Sequence, residues 1–157
     1  MDTRLQLLVF CLDDHSYALR LQNVHRVIRA VDFMPLPQAP SAVAGVIDLH
    51  GEIVPLFDLR KRLGLLPREI GVEDHFILAS QSGRTVALAV DRVREIVDRA
   101  EEELMSLAQI APHSEQIEGA VEIADGLVLI HDLERFLSPS EQQMLEAAMV
   151  KSRGDGN

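Results

Sequence analysis

Asp58 and Asp132 stand at matching places in this chain, each closing an apolar run and each followed by leucine. Two related halves that each donate one carboxylate would make an aspartic acid/base dyad, in which one carboxyl keeps the proton its neighbour has lost. The competing role is structural, since an aspartate ahead of a short helical segment accepts hydrogen bonds from amides two or three residues on. Leucine beside each aspartate favours the cap, because a dyad calls for a small, turn-forming neighbour. The histidines are His15, His25, His50, His75, His113 and His131, and no two stand two or four residues apart, the spacings that would place a pair jointly on a metal. Cys11 is the only cysteine, which excludes an intramolecular disulfide and a cysteine-based metal cluster. It is expected as a small apolar residue in the first strand. Serine-nucleophile, phosphate-loop and dinucleotide signatures are all missing. The residues therefore predict no catalytic group, no metal and no cofactor.

The elements that carry these residues are duplicated. The block from Gly45 to Leu59 returns without a gap from Gly119 to Leu133, pairing Gly45 with Gly119 and Asp58 with Asp132. Upstream, Tyr17, Leu19, Leu21, Val24, Val27 and Ile28 match Val86, Leu88, Val90, Val93, Ile96 and Val97 at a constant offset of 69. The later block is offset by 74, so the second connector is five residues longer. Two units are too few for a solenoid, and a pair of small subdomains packed together is expected.

Alternating apolar residues predict strands over 7–12 and 17–21 around a turn at 13–16. Pro35, Pro37 and Pro40 then break the pattern, and a hairpin follows over 43–49 and 52–57 through His50-Gly51. The second half repeats the order, with strands over 76–79 and 85–90 around Ser82-Gly83, a connector over 99–116, and strands over 117–123 and 127–131 around Asp125-Gly126. Short helical segments are expected over 59–63, ended by Gly64, and over 133–137. Ser138-Pro139-Ser140-Glu141 is a capping box that opens a helix to about residue 149, with 150–157 as a flexible tail.

The net charge is −10, and it is unevenly spread. Residues 1–70 hold eight basic and eight acidic side chains, whereas 71–157 hold seven basic and seventeen acidic. That balance argues against nucleic acid as a partner, which needs clustered Lys and Arg. An acidic half is either a solvated face or a docking surface for a basic partner. Aromatic bulk is limited to Tyr17 and five phenylalanines, so Val, Leu and Ile must fill the interior, a bias toward strands. The run 5–12 is framed by Asp2, Asp13 and Asp14, unlike a signal-peptide core, and no apolar stretch nears the roughly 20 residues that cross a bilayer. A cytoplasmic protein without direct membrane insertion is expected.

Five segments, taken in order, resemble the CheW family of bacterial chemosensory coupling proteins. They are Val24-His25-Arg26-Val27-Ile28, Pro35-x-Pro37-x-x-Pro40, Gly45-Val46-Ile47-Asp48-Leu49-His50-Gly51, Pro55-Leu56-Phe57-Asp58-Leu59-Arg60 with Arg62 and Gly64, and Val90-Asp91-Arg92-Val93. The likeness spans about residues 5 to 149. It implies an all-β fold of two five-stranded SH3-like barrels packed together, with short helical turns and a C-terminal helix. It also implies a single domain over 1–157, with subdomains of about 14–70 and 71–137, an N-terminal strand able to cross over, and a helix over 138–149. The implied role is a scaffold without catalysis, binding the regulatory domain of a CheA-type histidine kinase and the cytoplasmic tip of methyl-accepting chemoreceptors. By position, Val24, Val27, Ile28, Val93 and Ile96 would receive the receptor.

Two positions depart from the family's usual pattern. Arg26 stands where the family writes glutamate, and His50 where it writes arginine. If the two face each other, an acid/base pair has become two groups that repel whenever His50 is charged. The joint change implies a diverged coupling protein serving a dedicated or alternative pathway. The alternative is a small-ligand-binding β-barrel without kinase coupling, which would show an apolar pocket with converging polar groups between the subdomains.

Overall fold

Each apolar run becomes a strand because its side chains alternate between two surfaces that are both covered. The structure, a computed structural model, describes residues 4–106 and 116–155, and of 152–155 the backbone alone. The strands are β1 (Arg4–Leu12), β2 (His15–Arg20), β3 (Val24–Arg29), β4 (Val43–Leu49), β5 (Glu52–Asp58), β6 (His75–Gln81), β7 (Arg84–Val90), β8 (Arg92–Ala100), β9 (Met105–Ser106), β10 (Ile117–Ile123) and β11 (Gly126–His131). Helix α1 (Leu59–Arg62) follows β5, and α2 (Pro139–Asp155) ends the described chain. The β4–β5 turn takes His50 and Gly51 at φ 53° and 92°, and the β6–β7 turn takes Ser82 and Gly83 at 49° and 76°. Positive φ at both central residues is the turn that matches strand twist, which is why each ends in glycine.

The strands form two sheets, ordered β8-β1-β2-β11-β10-β9 and β3-β6-β7-β5-β4. Neighbours are antiparallel except β2 with β11 and β5 with β7, which run parallel. The sequence repeat explains this layout. Hairpin β1–β2 corresponds to β6–β7, β3 to β8, and β4–β5 to β10–β11, yet each sheet takes its hairpin from the other repeat. The halves have exchanged hairpins, so neither sheet can be assembled from one repeat. A division near residue 70 therefore does not follow the sheets: the five-stranded one spans β3 to β7, and the other gathers both ends of the chain. The second sheet has six strands because the short β9 adds to β10.

Three cores result. Leu5, Leu7, Val9, Val121, Val128 and Ile130 fill the inner face of the six-stranded sheet. Ile47, Val54, Leu56, Phe76 and Leu78 fill that of the five-stranded sheet. The largest core is the seam between them, where Leu8, Phe10 and Tyr17 meet Ile77, Leu88, Phe57 and Phe136. Phe57 stacks on Phe136 with ring centroids 4.4 Å apart. Cys11, a free thiol, is buried in β1.

Helix α2 closes the seam. Leu145, Ala148 and Met149 enter it, while Arg62 pairs with Glu141 and Arg84 Nη2 donates to Glu146 at 2.6 Å. The capping box forms as the sequence indicates, with Ser138 Oγ accepting from the Glu141 amide at 3.2 Å and Glu141 Oε1 accepting from the Ser138 amide at 2.9 Å. The helix does not stop near 149. It runs to Asp155, so residues 150–155 are helical where a flexible tail was expected. Lys, Ser and Arg all tolerate a helix, and one glycine costs only about 1 kcal/mol.

Gly45 and Gly119, the repeat's paired glycines, owe their identity to close backbone approach. A Cβ on Gly45 would lie 2.2 Å from the Met34 carbonyl oxygen, and one on Gly119 would lie 2.5 Å from that of Met105. Each glycine also borders a bulge, between Val43 and Gly45 and between Ile117 and Gly119. Gly45→Ala is expected to lower stability by about 2–3 kcal/mol, the upper part of the range for overpacking. Chemical denaturation measures this, and a loss below about 0.5 kcal/mol would show that the Met34 segment simply moves away.

Candidate docking site at the seam between the sheets

The seam is roofed by α2, and it opens at the outer edges of β3 and β8, the terminal strands of the two sheets. Alternation along β3 sends Val24 and Val27 toward the seam core, half-buried, and Val93 of β8 packs against the same core. Ile96 lies further along β8 and is 57% exposed. Ile28 belongs elsewhere, because it packs into the inner core of the five-stranded sheet. The sequence-derived set is thus divided. Val24, Val27 and Val93 share one apolar rim with Ile96 beside them, and Ile28 is turned away from it. His25 is exposed and its Nε2 lies 2.8 Å from Ser80 Oγ.

Arg26 and His50 do not meet. Arg26 is exposed on β3, in register with Leu78 of β6, whereas His50 caps the β4–β5 hairpin at the opposite edge of the same sheet. The repulsion that facing positions would create is absent, because β3 and β4 are the opposite terminal strands of the sheet. His50 sits with positive φ, and Asp48 Oδ1 accepts from the Gly51 amide at 2.8 Å, so local turn geometry fixes that position.

Both repeated aspartates are caps. Asp58 Oδ1 accepts from the Arg60 amide at 3.0 Å, and Asp132 Oδ1 accepts from the Glu134 amide at 3.2 Å. Each helical turn thereby satisfies one of its free amides, as the leucine neighbours suggested. No group of three or more His, Cys, Asp or Glu able to hold a metal occurs among the described residues.

A charged network joins the β1–β2 turn, α1 and the β7–β8 link, and no sequence motif announces it. Arg60, only 5% exposed, donates through Nη2 to both oxygens of Asp91, at 2.8 and 2.9 Å, and through Nη1 to Asp13 at 2.8 Å. Arg68 bridges Asp91 and Asp74. Burial alone would raise the Asp91 carboxyl, but hydrogen bonds from Arg60, Arg68 and the Asp13 amide outweigh it and hold the group below its ordinary value. Burial likewise opposes the charge on Arg60, and its two aspartates more than reverse that. Asp13 lies in the β1–β2 turn, Arg60 in α1 and Asp91 between β7 and β8, so the network ties the exchanged hairpin to the other sheet. The motifs containing Arg60 and Asp91 were visible in sequence. Nothing in their spacing showed that they touch.

His131 is the second unforeseen feature. It ends β11 in the seam, 2% exposed, with neither ring nitrogen hydrogen-bonded among the described residues and its ring centroid 5.9 Å from that of Phe136. Burial pushes its pKa down to about 4, so the ring is neutral at physiological pH.

The space between the sheets is packed with side chains. Described surface clefts of about 480 Å³ lie elsewhere, one lined by Ala30–Phe33 and Ile70–Val72 and another beside Ser82 and Pro139. Fold and rim together make a two-sheet module with exchanged hairpins, a packed seam, and edge strands that carry apolar and charged side chains. The CheW-like domain profile matches residues 6–141, and the chain belongs to that family. It is 25% identical over 150 residues to the chemotaxis protein CheW of Treponema pallidum, covering 92% of this chain and 88% of that one. Against the chemotaxis protein CheW of Rhizobium meliloti it is 28% identical over 140 residues, covering 88% and 90%. The crystal structure of the scaffolding protein TtCheW from Thermoanaerobacter tengcongensis superimposes with a TM-score of 0.81 at 26% identity, over 91% of this chain and 99% of that one.

Proposed function

We propose that this chain is a non-catalytic cytoplasmic adaptor that couples chemoreceptors to a CheA-type histidine kinase. It would bind the kinase's regulatory domain and the receptors' cytoplasmic tip. The observation that carries the reading is the apolar rim of Val24, Val27, Val93 and Ile96 at the open end of the seam, on a chain whose family and fold are those of chemotaxis scaffolds. Asp58 and Asp132 each cap a helical turn, which engages both carboxylates in structural hydrogen bonds. Exposed Arg26 and His50, each departing from the family's usual residue, favour a dedicated or alternative pathway over the main flagellar one. Equal pull-down of the principal flagellar kinase and its receptors would sink that assignment.

Ile96→Asp and Val27→Asp are each expected to weaken binding to the receptor tip by at least about tenfold, because a carboxylate would have to be desolvated against apolar partner atoms. Calorimetric titration of the purified chain with a receptor fragment reads the effect. Ile96→Asp should leave the fold untouched, since the side chain is mostly solvated. An insoluble Val27→Asp chain would instead place Val27 in the core.

A further inference from the structure

The net charge of this molecule belongs to one of its two sheets. Residues 24–90, which carry the whole five-stranded sheet, hold seven Lys or Arg and seven Asp or Glu, whereas the rest of the chain holds eight and eighteen. The five-stranded part is neutral, and the entire −10 lies in the remainder, which forms the six-stranded sheet and α2.

On the neutral part, a cleft of about 480 Å³ opens between the chain leaving β3 and the chain entering β6. Phe33 and Ile70 line it half-buried, each packing against the inner core of the five-stranded sheet. Val31 and Val72 line it from the rim, 44% and 83% exposed. Asp32 is the one charged residue in the lining. Both walls are pinned. Asp74, only 5% exposed, accepts through Oδ2 from the Gly71 amide and through Oδ1 from Arg68 Nη2, each at 2.8 Å, and its carbonyl accepts from the Ala30 amide at 3.0 Å. Met34 and Val46 exchange two backbone hydrogen bonds, at 2.7 and 2.9 Å, just beyond Phe33. A lone exposed valine needs no explanation, since much of any protein surface is apolar. Two valines bordering one apolar cleft with fixed walls mark a contact surface, and a partner seated there orders little on binding.

We propose that this cleft is the interface of a two-fold dimer, in which Val31 and Val72 of each copy seat over Phe33 and Ile70 of the other. A second copy suits the shape, because one face supplies both the protruding valines and the hollow that receives them, the self-complementarity a two-fold contact requires. It also suits the charge. Two molecules of net charge −10 repel, and meeting through their neutral parts keeps the acidic sheets apart, whereas pairing through the β8 edge or α2 would bring them together. Val24, Val27, Val93 and Ile96 take no part in the cleft, so the dimer carries two free docking rims. The dimer goes beyond the adaptor reading and stands without it.

Sedimentation velocity of the full chain, from about 1 μM to about 1 mM, should show a monomer that pairs with a dissociation constant on the order of 100 μM, because so small an apolar face makes a weak dimer. Raising salt from about 0.05 M to about 0.5 M should tighten the pairing, since salt screens the repulsion between acidic sheets and leaves the apolar contact in place. Val72→Asp should weaken pairing by at least about tenfold and leave the thermal midpoint unchanged, because that side chain is solvated in the monomer. Should that variant fail to fold, Val72→Ser must still weaken pairing by about threefold or more. Pairing that survives both changes, or that Ile96→Asp abolishes, overturns the proposal. A chain that stays monomeric at about 1 mM overturns it as well, and loss of the kinase's regulatory domain by Val72→Asp would then assign the cleft to that partner. Failure of the adaptor reading is a separate result, because self-association is measured with no partner present.

Discussion

Arg60→Met is expected to lower the unfolding free energy by about 3 kcal/mol, measured by urea denaturation near neutral pH. The guanidinium is buried and holds three carboxylate oxygens, both from Asp91 and one from Asp13. Methionine fills much of the same volume but leaves Asp91 with Arg68 alone and Asp13 with no cation. Stripping one partner from a buried pair typically costs 3–5 kcal/mol, because the remaining charge stays desolvated. The lower end applies here, since the Asp91 side chain is 23% exposed and that of Asp13 is 46% exposed, so water recovers part of the loss. Arg60→Lys keeps the charge but cannot form the planar fork to Asp91 while reaching Asp13, and should fall between the two. Because the network joins the β1–β2 turn to α1 and the β7–β8 link, the loss should also speed hydrogen exchange in β1 and β2. A cost below about 1 kcal/mol would mean that Asp91 and Asp13 are solvated by slight opening of the turn, and that the network is dispensable.

Stability should also depend on pH through His131. Its folded pKa is about 4, against about 6.5 when unfolded, so between those values the unfolded chain binds a proton that the folded chain does not. Unfolding free energy therefore rises with pH across that window and is fully regained above about pH 6.5. The span is on the order of 3 kcal/mol, from about 1.4 kcal/mol for each pH unit of displacement. His131→Phe should flatten the profile between pH 4 and 6.5. It should also raise stability at neutral pH by about 1 kcal/mol, because both ring nitrogens now lie in the seam without partners. The carboxylates of Asp91 and Glu141, both held below their ordinary values, act in a lower window: their contribution is present above the usual carboxylate range of about 4 and is lost as pH falls beneath it. A denaturation series from pH 3 to 8 separates the groups. An unchanged slope between pH 4 and 6.5 in His131→Phe would assign the dependence to another group.

The strand hairpins, the capping aspartates and the capping box of α2 could all be read from the chain, since each depends on residues within a few positions of one another. β3 and β8 were harder. Their patterns are broken by charges at Arg26, Arg29, Arg92 and Glu95, because an edge strand has one side open to water. The resemblance groups Val24, Val27, Ile28, Val93 and Ile96 by position alone. In the structure the bulge between Val24 and Arg26 turns Ile28 to the inner core of the five-stranded sheet, while Val24, Val27 and Val93 pack against the seam. The suspected meeting of Arg26 with His50 fails because their strands lie at opposite edges of the sheet.

What the sequence determined by itself was the duplication: two copies of glycine, strand, turn and capping aspartate, written in local periodicity and turn chemistry. Tertiary structure alone decided that the copies exchange hairpins, that Gly45 and Gly119 must be bare because another segment's carbonyl lies against each, and that Asp13, Arg60 and Asp91 converge. The physical reason is range. Periodicity, capping and turn preference act over a few residues, whereas strand exchange, close backbone approach and buried ion pairing are set by which distant surfaces can be buried together.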